Sequence, residues 1–138
     1  MFSCTSLKVN NSKIEGIEDF EINLNKVTST AGQSGWGVNM SPIKGNTFLR
    51  LDVNIKNISM DTREINFNDL FLVHFETKTK YPLIGAYMPT LVTLGAKSKR
   101  KVIGNETIHR ILLYSFPKKK APDFLMYKEK LIPIDISY

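Results

Sequence analysis

The sequence is poor in the residue types that catalysis and metal binding draw on. Among 138 residues there is one cysteine, Cys4, and there are two histidines, His74 and His109. A lone cysteine excludes an internal disulfide and any site built on several thiolates, so packing has to supply the stability. The two histidines, with no further ligands at recognisable spacing, make no zinc motif, and no G-x-S-x-G elbow marks a nucleophile. The stretch GQSGWGV has no lysine–serine behind it, which excludes a phosphate-binding loop. The acidic residues Glu15, Glu18, Asp19 and Glu21 lack the Asp/Asn/Gly spacing of a calcium loop and read as a solvated turn. No apolar run approaches the roughly 18 residues of a membrane-spanning helix. No catalytic residue, metal or cofactor is therefore expected.

What is present is alternation. In NTFLRLDVNIKN (Asn46 to Asn57), Leu49, Leu51, Val53 and Ile55 point one way, and Arg50, Asp52, Asn54 and Lys56 the other. That is a half-buried strand, and a slip of one residue would bury two cations and an aspartate. FEINLNKV, TKYPLIG, SKRKVI, TIHRILLYSF, PDFLMY and KLIPIDISY are further strand-sized runs, separated by Gly, Pro, Asn and Asp. LFLVHF is apolar on both faces: Leu70, Leu72 and His74 share one, Phe71, Val73 and Phe75 the other. Either a loop covers the second face or it forms an exposed patch ready for a partner; coverage is the expectation, since monomers rarely expose large apolar patches. Short strands without helical crossovers predict an all-β, antiparallel β-sandwich of about seven to nine strands. It forms a single domain over residues 14–138, preceded by an N-terminal tail over residues 1–13.

The order of these features resembles a known family. A glycine (Gly45) precedes the long alternating strand, which ends at Asn57. NFNDLFLV, the leucine–glycine turn of TLGAKS, LLYSFP and PDFLMYKEKLIPIDI follow in turn. From about residue 20 to 137 the chain is similar to a bacterial immunoglobulin-like domain of unknown function, related to the immunoprotective extracellular antigens. Leu94 stands before Gly95 where the family usually has proline, and the stretch up to Phe116 is longer than expected, as for an inserted hairpin or extended loop. The resemblance implies an immunoglobulin-like sandwich that is exported and often lipid-anchored; it brings no catalytic residues.

Cys4 fits that implication. MFSCTS has the order of the end of a bacterial lipoprotein signal, although the charged start and most of the apolar stretch are missing. A lipid-bearing cysteine and a free thiol on a frayed terminus both remain open. The formal charge of +6 is unevenly spread: residues 1–77 hold seven Lys/Arg against nine Asp/Glu, and residues 78–138 hold twelve against four. The groups Lys97, Lys99, Arg100, Lys101 and Lys118, Lys119, Lys120 are candidates for one basic patch facing an anionic polymer or membrane. They lack interleaved aromatics, which argues against nucleic acid. Trp36, the only tryptophan, stands between glycines in a long connection. It either stacks on a ligand or plugs the sandwich end, with Tyr81 and Tyr87 as companions. The expected function is that of a non-enzymatic module of the cell envelope or the exterior, held by lipid at Cys4 and contacting a protein or anionic polymer. The alternative is a binding protein for a small ligand, glycan or anionic polymer, through the Trp36 loop and the basic half.

Overall fold

The computed structural model describes residues 4–31, 42–88 and 98–138. The strands in chain order are β1 (Cys4–Asn11), β2 (Lys13–Ile17), β3 (Phe20–Thr30), β4 (Asn46–Asn57), β5 (Arg63–Asn66), β6 (Leu70–His74) and β7 (Thr79–Tyr81). There follow β8 (Leu83–Tyr87), β9 (Lys99–Val102), β10 (Thr107–Pro117), β11 (Phe124–Tyr127), β12 (Lys130–Pro133) and β13 (Asp135–Ser137). Helical structure among the described residues is one 3-10 turn, Phe67–Asp69. A seven-stranded sheet runs β13-β1-β3-β4-β10-β8 with β2 on β3; a four-stranded sheet runs β12-β11-β6-β7; β5 and β9 pair alone. All pairings are antiparallel. The protein is an all-β sandwich, with more and shorter strands than alternation alone indicates.

Alternation decides which faces meet. Leu49, Leu51, Val53 and Ile55 of β4 are each at most 1% exposed, and β10 sets Ile108, Leu112, Tyr114 and Phe116 beside them. Across the core lie Leu70 and Leu72 of β6 with Leu125 and Tyr127 of β11. Burying each such aliphatic stabilises the fold by about 1.5–3 kcal/mol. The two sheets are also tied by a polar bond: the buried Tyr114 hydroxyl donates to the Leu70 carbonyl at 3.0 Å. That satisfies the phenol without water.

A second polar device closes one end of the sandwich. Asn57, where β4 stops, has 0% exposure. Its Nδ2 donates to the carbonyls of Asp61 (2.7 Å) and Val102 (2.9 Å), while its Oδ1 accepts from the Ser59 amide and hydroxyl. Its backbone N–H donates to the Glu106 carbonyl and its own carbonyl accepts from the Asn105 amide. One side chain thus joins the end of β4, the connection to β5 and the end of β9. Gly104 lets the chain come this close, because a Cβ there would meet the Met60 carbonyl carbon at 2.6 Å.

One expectation needs correction and two are narrowed. Residues 1–13 are not a tail throughout: Cys4–Asn11 is a strand between β3 and β13, with Leu7 only 6% exposed. Only Leu7 and Val9 are apolar in it, too few for a visible pattern, and it is held by partners remote in sequence. Of the inserted hairpin or extended loop expected between Gly95 and Phe116, the described residues show β9 paired with β5 and not with β10. The second face of LFLVHF is divided between the two alternatives: Phe71 is half-buried and Val73 only 8% exposed, whereas Phe75 is 63% exposed.

Replacing Asn57 with alanine strands the buried Val102 carbonyl and removes three further bonds, to the Asp61 carbonyl and from Ser59, and we expect a loss of about 2–4 kcal/mol in urea unfolding. Tyr114→Phe removes one buried bond, for a loss of about 1–2 kcal/mol at neutral pH. Burial raises the Tyr114 phenol above its ordinary value of 10.0. Above that pH the unfolded chain releases a proton that the folded one keeps. Stability therefore falls as pH rises, by about 1.4 kcal/mol per unit from this group. Unfolding curves of wild type and Tyr114→Phe should converge above pH 10, with the wild type declining faster.

Candidate functional site

The end opposite Asn57 is built from three turns and the start of a strand. The Lys118 amide donates to the Gly45 carbonyl at 3.1 Å, which sets the β10–β11 turn beside the approach to β4. The Phe75 amide donates to Asp123 Oδ2 at 2.8 Å, and the Asp123 amide to the Val73 carbonyl at 2.9 Å. These bonds bring the β6–β7 turn alongside. Cys4 pairs with Thr30 and Thr30 with Phe48, so β1 begins at this same end. Gly45 and Lys119 bend the chain here at positive φ, +88° and +61°.

The turns carry Lys44, Lys78, Lys118, Lys119 and Lys120, all exposed, beside the exposed Ile43 and Phe75. Among the described residues none of these lysines makes an ion pair. The charges at the Asn57 end do: Arg63 lies 2.6 Å from Asp19 and 3.6 Å from Asp61, Arg100 3.4 Å from Glu106, and Lys128 3.3 Å from Glu18. The Asp19 hydrogen bond holds the Arg63 guanidinium above its usual pKa, and Glu18 does the same for Lys128. Arg110, 9% exposed, is lowered by burial, then by Arg100, with Glu106 opposing.

Two apolar concavities open near the basic end. One, about 430 Å³, is lined by Pro42, Ile43, Phe48, Tyr81, Pro82 and Ile84, with Asn46 and Ser115 as its polar members. Asn46 Nδ2 donates to Ser115 Oγ at 3.0 Å, which leaves the serine hydroxyl hydrogen to offer an acceptor. The other, about 410 Å³, lies on the outer face of the four-stranded sheet, among Val73, Phe75, Phe124, Met126 and Leu131, with Lys78, Lys80 and Glu129 around it. The Lys80 ammonium sits 4.8 Å from the Phe71 ring centre and shields that ring in part.

The residues singled out in the sequence are scattered among these features. Trp36 and Lys97 lie outside the described residues. Tyr81 packs on Phe116, ring centres 4.7 Å apart, and lines the first concavity. Tyr87 is half-buried, its hydroxyl over Gly85, and burial raises its pKa. Lys99, Arg100 and Lys101 belong to β9 at the Asn57 end, whereas Lys118, Lys119 and Lys120 follow β10 at the other. The 11 residues of β10 separate them by roughly 35 Å, so the expectation of one basic patch is corrected to two separate groups. Ile43, Lys44, Phe75 and Lys78 join the second group. The doubly apolar LFLVHF run was the signal for Phe75; nothing local marked the other three.

Among the described residues each histidine has one polar side chain close to its ring. His74 Nδ1 lies 3.3 Å from the Thr77 hydroxyl, but Glu76 Oε2 is 3.9 Å from Nε2, too far to orient the ring, and 78% exposed. The His74 ring also packs on Phe116, edge to face, with ring centres 5.9 Å apart. His109 contacts Asp52 on the outer face of the large sheet, where Asn25 also donates to Asp52. Among the described residues no three His, Cys, Asp or Glu side chains gather as a metal site.

Residues 8–131 match the model of a family described as Domain of unknown function (DUF4352). The chain belongs to this family. No curated protein matches it. Solved structures similar to this DUF4352 chain come from bacteria and share its fold. A conserved hypothetical protein from Bacillus anthracis is 14% identical with a TM-score of 0.62, covering 96% of this chain and 97% of its own. An uncharacterised β-sandwich protein from Clostridium difficile 630 is 12% identical with a TM-score of 0.54, covering 90% of each. A functionally unknown protein from Listeria monocytogenes EGD-e is 12% identical at 0.52, covering 84% of this chain and 67% of its own.

Proposed function

We propose that this DUF4352 protein is a non-enzymatic interaction module of the bacterial cell envelope, held to the membrane by lipid on Cys4. The observation that carries this reading is the position of that thiol. Cys4 is free and exposed, and it opens β1 at the end where unpaired lysines and apolar side chains gather. Its resemblance to exported immunoglobulin-like domains, including the immunoprotective extracellular antigens, supports the same address. A lipid at Cys4 would hold the body directly against the bilayer, because the strand begins at the modified residue itself. Two acyl chains or more are needed for a lasting hold, since one gives only marginal binding. The rigid sandwich then acts as a scaffold whose exposed outer faces meet a partner.

A second reading rests on the concavity between Ile43, Phe48 and Tyr81. Its volume of about 430 Å³ falls in the range of small-molecule sites. Apolar walls and the Asn46–Ser115 pair suit a small apolar ligand bearing one hydrogen-bond acceptor.

Mass spectrometry of protein taken from its native source tests both. The first reading expects membrane fractionation and a Cys4 mass raised by acyl chains; an unmodified Cys4 in the cytosolic fraction overturns it. The second expects a non-covalent small molecule under native conditions that is lost on denaturation and depleted in Ile43→Arg. A bare native mass overturns that one.

A further inference from the structure

We infer that the basic end of the sandwich is a docking surface for a membrane rich in anionic phospholipid. This deepens the envelope reading but stands on different residues, and it needs no lipid on Cys4.

Charge is the first argument. Lys44, Lys78 and Lys118 to Lys120 come together from three turns through the Lys118–Gly45 and Phe75–Asp123 bonds. Two carboxylates lie in those turns, Glu76 and Asp123; Glu129 and Lys80, around the neighbouring concavity, offset each other. Asp123 is spent on the Phe75 amide, and Glu76 is exposed, so it offsets one of the five lysine charges and leaves a net surplus of positive charge. Five ammonium groups thus have no ion-pair partner among the described residues, while at the other end Arg63, Arg100 and Lys128 are paired with Asp19, Asp61, Glu106 and Glu18, and Lys99 and Lys101 are not. An end with surplus positive charge is complementary to phosphate headgroups.

Apolar reach is the second. Ile43 is 72% exposed and Phe75 63%; the first adjoins Lys44 in the chain, and the second opens the turn that ends at Lys78. At a bilayer surface, ammonium groups sit at the phosphates while neighbouring apolar side chains reach toward the acyl boundary. An anionic polysaccharide would engage the lysines and leave Ile43 and Phe75 without a role. A second copy of this end would set like charges against each other. Anionic lipid uses both sets of side chains.

The test is co-sedimentation of the full, unlipidated chain with vesicles. We expect binding to vesicles of phosphatidylcholine containing a third phosphatidylglycerol, weakened at high salt, and little binding to phosphatidylcholine alone. Lys44→Glu/Lys118→Glu/Lys120→Glu should lower partitioning on the order of a hundredfold, and Phe75→Ser about tenfold or more. Lys99→Glu/Lys101→Glu, at the other end, should leave it within about twofold. Melting curves establish that each variant is folded. If the Lys99/Lys101 variant loses binding equally, net charge and not this end is responsible, and the inference falls. It falls too if wild type ignores phosphatidylglycerol or binds phosphatidylcholine as well. An acylated Cys4 with no vesicle binding would overturn this inference alone, whereas vesicle binding by a cytosolic, unmodified protein would overturn only the envelope reading.

Discussion

One carboxamide with no access to water holds an end of this fold together. Asn57 sits where the longest strand of the large sheet stops and the chain must leave for the other layer. There the backbone groups that would otherwise continue a ladder have to be satisfied by something else. Its Nδ2 and Oδ1 do this for the Asp61 and Val102 carbonyls and for Ser59. The small β5–β9 sheet exists because this junction holds its two strands side by side. The Tyr114–Leu70 bond plays the corresponding part deep between the layers.

The closure gives the molecule two unlike ends. At the Asn57 end Arg63, Arg100 and Lys128 are matched by carboxylates, while Ile58, Met60 and Ile103 stand exposed. At the far end the turns are shaped by Gly45, Asp123 and Lys119, and their lysine side chains are left to solvent. A scaffold that settles its polar groups at one end is free to present unmatched ones at the other. The outer face of the small sheet adds an apolar side to that end, through Phe75, Phe124 and Leu131.

Much of this was legible in the chain. Alternation in β4 named its four core aliphatics, and LFLVHF showed both faces apolar before any sheet was known. Period-two patterning works because burial acts on one face of a strand, whatever its partner. It fails where the partner matters. The bulge at Asn25 shifts the register of β3 between Leu24 and Lys26, and its only trace is Leu24 and Val27 standing three apart. β1 was hidden because its order comes from β3 and β13 and not from its own hydrophobicity. The basic groups misled for the same reason: Lys101 and Lys118 are close in sequence, but a long straight strand carries them apart. Lys44 and Lys78, remote in sequence, join Lys118 only through turns that the fold brings together.

The pairing of β1 with β13 also sets the order of events in folding. Asn10 donates to Asp135 across 125 residues of chain, so the strand nearest the start cannot find this neighbour until the far end has been made. Contacts of such separation slow folding, because the connecting chain must lose its freedom before the contact forms. The large sheet is therefore completed only after synthesis, or passage through a pore, has delivered nearly the whole chain. Until then one side of β1 stands open to whatever binds unpaired strands.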